Sequence, residues 1–419
     1  MAEKEAYSQA ANTGKYDKAS GLLGKYDNVR RFWEDQVTGM FLRPALNELV
    51  TQKKAHLERI RVLDLGCGNG DGYDLIVGVT SKDPGIYEYI TAIITPDMLK
   101  EYVGIEINNE LIKQAEADYG YYPKVRFIQD DLSEGLPESV KKQDPFDIYI
   151  TSYGTMSHFH DEQNVKIISD ICNHVSDRAL FVGDWLGRYS YEWQDLWCCP
   201  LDQEYFMDYR ISYIYPEEVR DHADVAIFPL RLITRDEIMR IMDEAAMKSG
   251  VEIKPLRFFD RSILLGRHTD TGDYNKNCPK LRTHINSLFE GYLRTDLENL
   301  LVDYVPLPGF DDLNKFFEMF FMSCNTLIQY TTSLLSEYDS ETEKIHSVPD
   351  VLPFYPESLK EAMHSMRRLI EGVAWLKWGD VRANVIEPHL GYSLRKLEMD
   401  MQPGTGVGHS LVGIFEIRK

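Results

Sequence analysis

The sequence predicts an α/β protein built on an open parallel sheet, with a mostly helical region appended to it. Three observations carry that reading. Arg61–Gly72 reads RVLDLGCGNGDG, an apolar run that gives way at once to a glycine loop. Further short apolar runs recur downstream, at Tyr102–Asn108, Val125–Leu132, Phe146–Gly154 and Ala179–Trp185. After His268 the character changes and helical periodicity takes over.

Taken in order, residues 1–25 are rich in Gly, Ala, Ser, Lys and Tyr and are expected to form a mobile N-terminal segment. From Tyr26 to Val50, the residues Val29, Phe32, Trp33, Val37, Met40 and Phe41 recur at helical spacing, until Pro44 is expected to interrupt or restart the helix. Val62, Leu63 and Leu65 then make a buried parallel strand. Gly66, Gly68 and Gly70 let the backbone turn sharply and bring a ligand close to the main chain, where any Cβ would intrude. A helix start should follow, its free N–H groups facing that ligand. Leu186–Ile233 is too long for an ordinary connection and reads as an inserted lid. It is crowded with Tyr189, Tyr191, Trp193, Trp197, Tyr205, Phe206, Tyr209, Tyr213 and Tyr215, interleaved with carboxylates. Thr234–Gly250 reads as a helix with Thr234 as N-cap, Glu237 completing a capping box and Gly250 as the stop. Thr269–Pro279 is turn-rich and reads as a linker. Helical patterns follow at Leu281–Leu301, from Asp311 to about Tyr338, at Glu357–Trp378 and at Leu390–Met401, and Ser410–Arg418 alternates like a strand. The expected boundaries are therefore 26–268 for the sheet domain, with 186–233 as its lid, and 269–419 for a mainly helical cap or dimerisation domain; the alternative is that Ser410–Arg418 returns as an extra edge strand on the first sheet and makes the two parts inseparable.

Placed after V-L-D-L, the glycine loop resembles the first motif of class I S-adenosylmethionine (SAM)-dependent methyltransferases of the small-molecule type. The four later runs resemble that family's following motifs in the correct order, and the resemblance covers roughly Tyr26 to His268. It implies a Rossmann-like, seven-stranded sheet closed by an antiparallel pair within Val251–Arg267. It also implies SAM as cofactor and S-adenosyl-L-homocysteine as product. Around the cofactor the resemblance places Asp64, Gly66, Gly68, Asn69 and Gly70, then Glu106 and Ile107, Asp131 and Leu132, and Ser152. Glu106 would accept both ribose hydroxyls, while Asp131 and the Leu132 backbone would meet the adenine. Tyr26 and Trp33 belong to a helix of the kind that lies over the cofactor in that family. One departure stands out: Asp64 and Glu106 are 42 positions apart, whereas a Rossmann-type ribose acid usually follows its glycine loop by about 20 residues. Val77–Glu101 therefore reads as an insertion before the second strand.

Composition narrows the partners. With 46 basic and 67 acidic residues the net charge is −21, a field that repels phosphate backbones and anionic membranes and attracts cations. Nucleic-acid substrates are disfavoured. No apolar stretch approaches the ~20 residues that span a bilayer, and the polar N-terminus lacks a signal-peptide core, so the expected location is cytoplasmic. The six cysteines include no C-x-x-C pair and read as free thiols, and no metal site is expected.

Methyl transfer from a sulfonium chiefly requires that an acceptor lone pair be aligned, and that a proton be removed where necessary. Position is then more telling than residue type. Ligands of open α/β sheets lie at the carboxyl ends of the strands, which selects Ser152, Tyr153 and His158 after the fourth strand, and Asp184 and Trp185 after the fifth. Thr155–Asp161 (TMSHFHD) resembles the segment where a histidine of small-molecule methyltransferases stands near the transferred methyl. His158 is the expected general base or substrate orienter, with Tyr153 and Tyr191 as further residues of the acceptor site. Aromatic faces and carboxylates in the lid would suit an amine or another cationic acceptor. The leading expectation is methylation of a small polar molecule, amine-bearing or otherwise polar, by an enzyme whose residues 269–419 form a cap or dimerisation domain. A protein or peptide side chain as acceptor, or a SAM-binding scaffold without turnover, are the alternatives.

Overall fold

A computed structural model describes residues 8, 25–81, 92–200, 203–210, 227–264, 274–339, 341–342, 344–373 and 379–419. Most of the expected mobile segment (1–7 and 9–24), part of the insertion before the second strand (82–91), Tyr213 and Tyr215, and the start of the expected linker (269–273) lie outside the described residues.

Five parallel strands form the body of the sheet: β1 (Ile60–Leu65), β2 (Leu99–Glu106), β3 (Val125–Gln129), β4 (Ile148–Ile150) and β5 (Arg178–Gly187), side by side in the order β3-β2-β1-β4-β5. Their residues alternate between two cores, as the pleat requires. In β1, Val62 joins one apolar cluster while Leu63 and Leu65 join the other. β6 (Tyr205–Arg210) and β7 (Ile227–Ile233) make an antiparallel pair in the lid, and β8 (Glu252–Arg261) follows. β9 (Tyr338–Asp339) and β10 (Lys344–Ile345) pair separately, and β11 (Ser410–Arg418) ends the chain. The helices are α1 (Asp35–Ala55), α2 (Asp71–Val77), α3 (Asn109–Tyr119), α4 (Glu138–Lys141), α5 (Asp161–His174), α6 (Arg235–Ser249), α7 (Leu281–Leu288), α8 (Asp311–Ser336), α9 (Glu357–Gly372) and α10 (Glu387–Met401).

α6 carries the expected caps: Thr234 Oγ1 accepts from Glu237 N at 3.3 Å, Glu237 Oε2 accepts from Thr234 N at 2.8 Å, and Gly250 ends the helix at φ +67°. Pro44 does not break its helix. A π-turn over Arg30–Glu34 runs into α1, which continues through Pro44, because the proline withholds only one N–H while Leu42, Leu46 and Leu49 anchor the buried face on either side.

The sheet closes differently from expectation. Among the described residues of Val251–Arg267 no antiparallel pair forms; instead β11 lies between β5 and β8, antiparallel to both. Residues 26–268 thus lack the strand that joins β5 to β8. The C-terminal helices likewise share one apolar cluster with the sheet: Phe317, Phe320 and Leu327 of α8 and Leu394 of α10 belong with Val62, Ile148 and Val412. The described part of the expected linker is packed as well. Asn275 Nδ2 donates to Tyr191 O at 2.7 Å, and Tyr274 Oη accepts from Arg210 N at 2.8 Å.

β4 is short, pairing with β5 only as far as Val182, so the outer part of β5 has an open edge on that side. β7 fills it, pairing Leu232 and Ile233 with Leu186 and Gly187, and this docks the lid over the carboxyl ends of the strands.

Candidate active site

The glycine loop takes the conformation its residues require. Gly66, Gly68 and Gly70 have φ of +67°, +56° and +89°, a region closed to most side chains. A Cβ on Gly66 would lie 2.5 Å from Thr155 Cγ2. Beside the loop stands Glu106, at the end of β2. Its Oε2 accepts from Gly68 N at 3.0 Å and its Oε1 from Asn108 N at 2.9 Å. Burial raises the Glu106 pKa, and these two N–H donors oppose the rise. Asn108 also caps α3, accepting from Glu110 N at 2.9 Å. Lys25 pins the loop from the other side, with Nζ 2.8 Å from Asn69 Oδ1 and 2.7 Å from Asp71 Oδ2.

A cavity of about 490 Å³ opens at this edge of the sheet, within the usual ~300–1,000 Å³ of small-molecule sites. Of the residues expected at the cofactor, Gly66, Gly68, Glu106, Ile107, Asp131, Leu132 and Ser152 line it, and so do Tyr153 and His158. Leu186, Tyr209 and Leu230 supply a wall from the lid, and His409 another from the C-terminal segment. The His158 ring stacks on Phe228 of β7 with centroids 5.8 Å apart. Tyr153 has a positive φ of 57°, its backbone N donates to Asp184 Oδ2 at 2.8 Å, and its hydroxyl donates to Asp35. Arg30 and Arg261 lie over its ring at 3.3 and 4.7 Å. Burial drives its pKa well above the ordinary tyrosine value, so it serves as a wall held in place from behind.

Six expected site residues stand elsewhere. Asp64 is fully buried under α2, where it accepts from Tyr102 Oη at 2.5 Å, and burial pushes its carboxyl up to about 7. Asn69 and Gly70 support the loop from outside the cavity: Asn69 accepts from Lys25, and Gly70 abuts Tyr119 and Phe127. Tyr26 lies beneath Arg30, 5.1 Å from its guanidinium. Trp33 is wholly buried and donates to Glu398 Oε1 at 3.0 Å. Tyr191 faces away from the cavity, packed on Tyr304, Phe317 and Phe321, with its hydroxyl accepting from Val305 N at 3.3 Å. Trp33 and Tyr191 are turned by partners from residues beyond 269, which local periodicity does not register.

A family model described as a methyltransferase domain matches residues 56–184, the stretch from just before β1 to Asp184 of β5. That stretch contains the glycine loop, Glu106 and the walls of the cavity after β3 and β4. Residues 56–184 are a methyltransferase domain. SAM is the cofactor of this methyltransferase, and methyl transfer is its reaction. Among solved structures, similarity extends to a SAM-dependent methyltransferase from Clostridium acetobutylicum ATCC 824, at 14% identity over 61% of this chain and 90% of that one, with a TM-score of 0.34. A SAM-dependent methyltransferase from Methanosarcina mazei is 16% identical over 49% of this chain and 85% of that one, with a TM-score of 0.34. A SAM-bound amino pentose methyltransferase from Micromonospora echinaspora is 12% identical over 52% and 85%, with a TM-score of 0.30. No curated protein matches the chain in sequence. Among the described residues, no helix of the methyltransferase is long and apolar enough to cross a membrane.

Lys25, Asn108, Thr155 and His409 also line the cavity, beyond the residues expected there. Asn108 carried a readable signal, a helix-capping residue two positions after the strand's acid. His409 carried none, because its place depends on where β11 inserts.

Proposed function

We propose that this methyltransferase acts on a small polar acceptor, amine-bearing or otherwise protic, bound in the 490 Å³ cavity beside the cofactor. The observation that carries the reading is the continuity of that cavity. The glycine loop with Glu106 and His158 with Tyr209 and Leu230 of the lid line one and the same cavity. The donor set fits SAM. Glu106 would take the ribose hydroxyls, the Asp131–Leu132 turn the adenine, and the Gly66–Gly68 backbone and Ser152 the methionine end.

SAM supplies a methyl group already activated by its sulfonium, so the chain's task is to position the acceptor and exclude water. His158, steadied by Phe228, orients the acceptor, while Tyr209 and Leu230 roof it. The acidic net charge favours encounter with cationic molecules. Incubating the full chain with methyl-labelled SAM, once with a small-metabolite extract and once with a protein extract, tests the reading. Label in the small-molecule pool is expected. Label only in protein would transfer the reading to a side-chain acceptor, and SAM binding without transfer to either pool would leave a scaffold.

A further inference from the structure

We propose that His409, oriented by Glu192, is the group that takes the acceptor's proton during methyl transfer. The inference rests on the reading that the cavity holds a protic methyl acceptor, and it gives the proton a destination.

Topology puts His409 where chemistry occurs. β11 runs antiparallel to β5, with Ser410 paired to Leu186, so the start of β11 lies at the carboxyl end of β5. That is the edge of the sheet where ligands of open α/β folds bind. His409 immediately precedes this strand, and it lines the same cavity as Ser152 and His158. Its backbone is fixed on both sides: its N donates to Ser262 O at 3.1 Å, and its O accepts from Gly187 N at 3.0 Å. The approach is close enough that a Cβ on Gly187 would stand 2.3 Å from Gly408 O.

The side chain is fixed as well. His409 Nδ1 lies 2.6 Å from Glu192 Oε2, and both side chains are almost fully buried, at 5% and 2% exposure. Glu192 is held in turn by the Ser190 cap, whose Oγ accepts from Glu192 N at 3.3 Å. The rings of Trp193 and Tyr209 flank the imidazole at 5.3 and 6.3 Å. A carboxylate acceptor at Nδ1 selects the tautomer that carries its proton there, leaving Nε2 as the basic nitrogen. The carboxylate also stabilises the imidazolium that forms when Nε2 takes a second proton. A buried carboxylate–imidazole pair on the wall of a ligand cavity is thus suited to proton transfer.

The step balances. The acceptor's lone pair forms the new bond to the methyl carbon, the carbon–sulfur bond breaks with its electrons going to sulfur, and the acceptor's O–H or N–H proton passes to His409 Nε2. His158 keeps the orienting role. An acceptor of this kind is protic, an alcohol, a phenol or a neutral amine, with a lone pair to form the new bond and a proton to lose.

The test uses the full chain, methyl-labelled SAM and the small-metabolite extract. His409→Gln keeps an amide donor toward Glu192 but cannot accept a proton. It is expected to melt like the wild type and to bind SAM within about twofold, yet to lose about 10²–10⁴-fold in transfer rate. His409→Ala should lose as much and should recover part of the rate when free imidazole is added, an outcome a purely structural role would not give. Glu192→Gln should slow transfer by about tenfold or more, with SAM affinity intact. Wild-type transfer in His409→Gln would overturn the proposal, as would rates that fall only in step with SAM affinity or melting temperature. Absence of transfer by the wild type itself would instead remove the acceptor reading, and this inference with it.

Discussion

Glu106 offers the sharpest test of how the cofactor is held. A carboxylate has about four acceptor positions. In the structure one on each oxygen is occupied, by Gly68 N at 3.0 Å and by Asn108 N at 2.9 Å. The remaining capacity matches two ribose hydroxyls. Replacing Glu106 by Ala removes charge-assisted bonds worth roughly 1.5–3 kcal/mol, or about 10–150-fold in dissociation constant. The same change also frees the two backbone N–H groups, so weaker binding alone could reflect a loosened loop. Calorimetry with S-adenosylhomocysteine and its 2′-deoxy analogue separates the two effects. The wild type should prefer the ribose form by about tenfold or more, and Glu106→Ala should lose that preference, because coupled contacts are not additive. A preference that survives the substitution, or an unchanged SAM affinity, would refute the ribose assignment.

Two further outcomes follow from burial and topology. The Asp64 carboxyl is raised from 3.8 to about 7, chiefly by burial, so the folded state holds its proton more tightly than the unfolded chain. Its contribution to stability therefore declines as pH rises from about 4 through 7, and the full cost at higher pH is on the order of 4 kcal/mol. Thermal melts of Asp64→Asn against the wild type should diverge in the variant's favour between pH 5 and 8; a constant difference would contradict this. A chain ending at residue 270 lacks β11 and bares the facing edges of β5 and β8. It should be insoluble or unfolded, and a soluble, SAM-binding protein of that length would show that the sheet stands without its last strand.

The legible parts of this protein are those encoded over a dozen residues. The glycine loop, the acid closing β2 and the capping box at Thr234 are backbone chemistry with local causes, and each takes the expected geometry. Tyr191 and Trp33 show the limit. Their aromatic character was plain, but the direction each faces is set by Tyr304, Phe317 and Phe321 in one case and by Glu398 in the other. Those partners lie more than 100 residues away. Asp64 is a subtler case: an acid inside the motif looked like a ligand contact, whereas α2 seals it against Tyr102. Alternation at Ser410–Arg418 indicates a strand, with an edge of the sheet as one expected place for it, whereas it inserts between β5 and β8, and that insertion is what places His409.

The C-terminal region is therefore part of the site's construction rather than an appended cap. Glu398 of α10 accepts from Trp33 Nε1 and from the backbone N–H groups of Ser262, Ile263 and Leu264, at 2.9–3.1 Å. Arg282 of α7 pairs with Asp27 at 2.6 Å and with Glu34 at 2.9 Å. Buried donors and charges left without such partners are costly, so the N-terminal helix, the end of β8 and the C-terminal helices hold one another in place. The same geometry delivers β11 to its place between β5 and β8 and His409 to the cavity. On the proposed reading, the cofactor half of the site is built from adjacent strands and loops between Gly66 and Ser152. The acceptor half joins the lid to residues near the end of the chain, and contacts of such separation form only after a large entropic cost has been met. Cofactor recognition can thus be encoded locally, while acceptor recognition requires the whole fold.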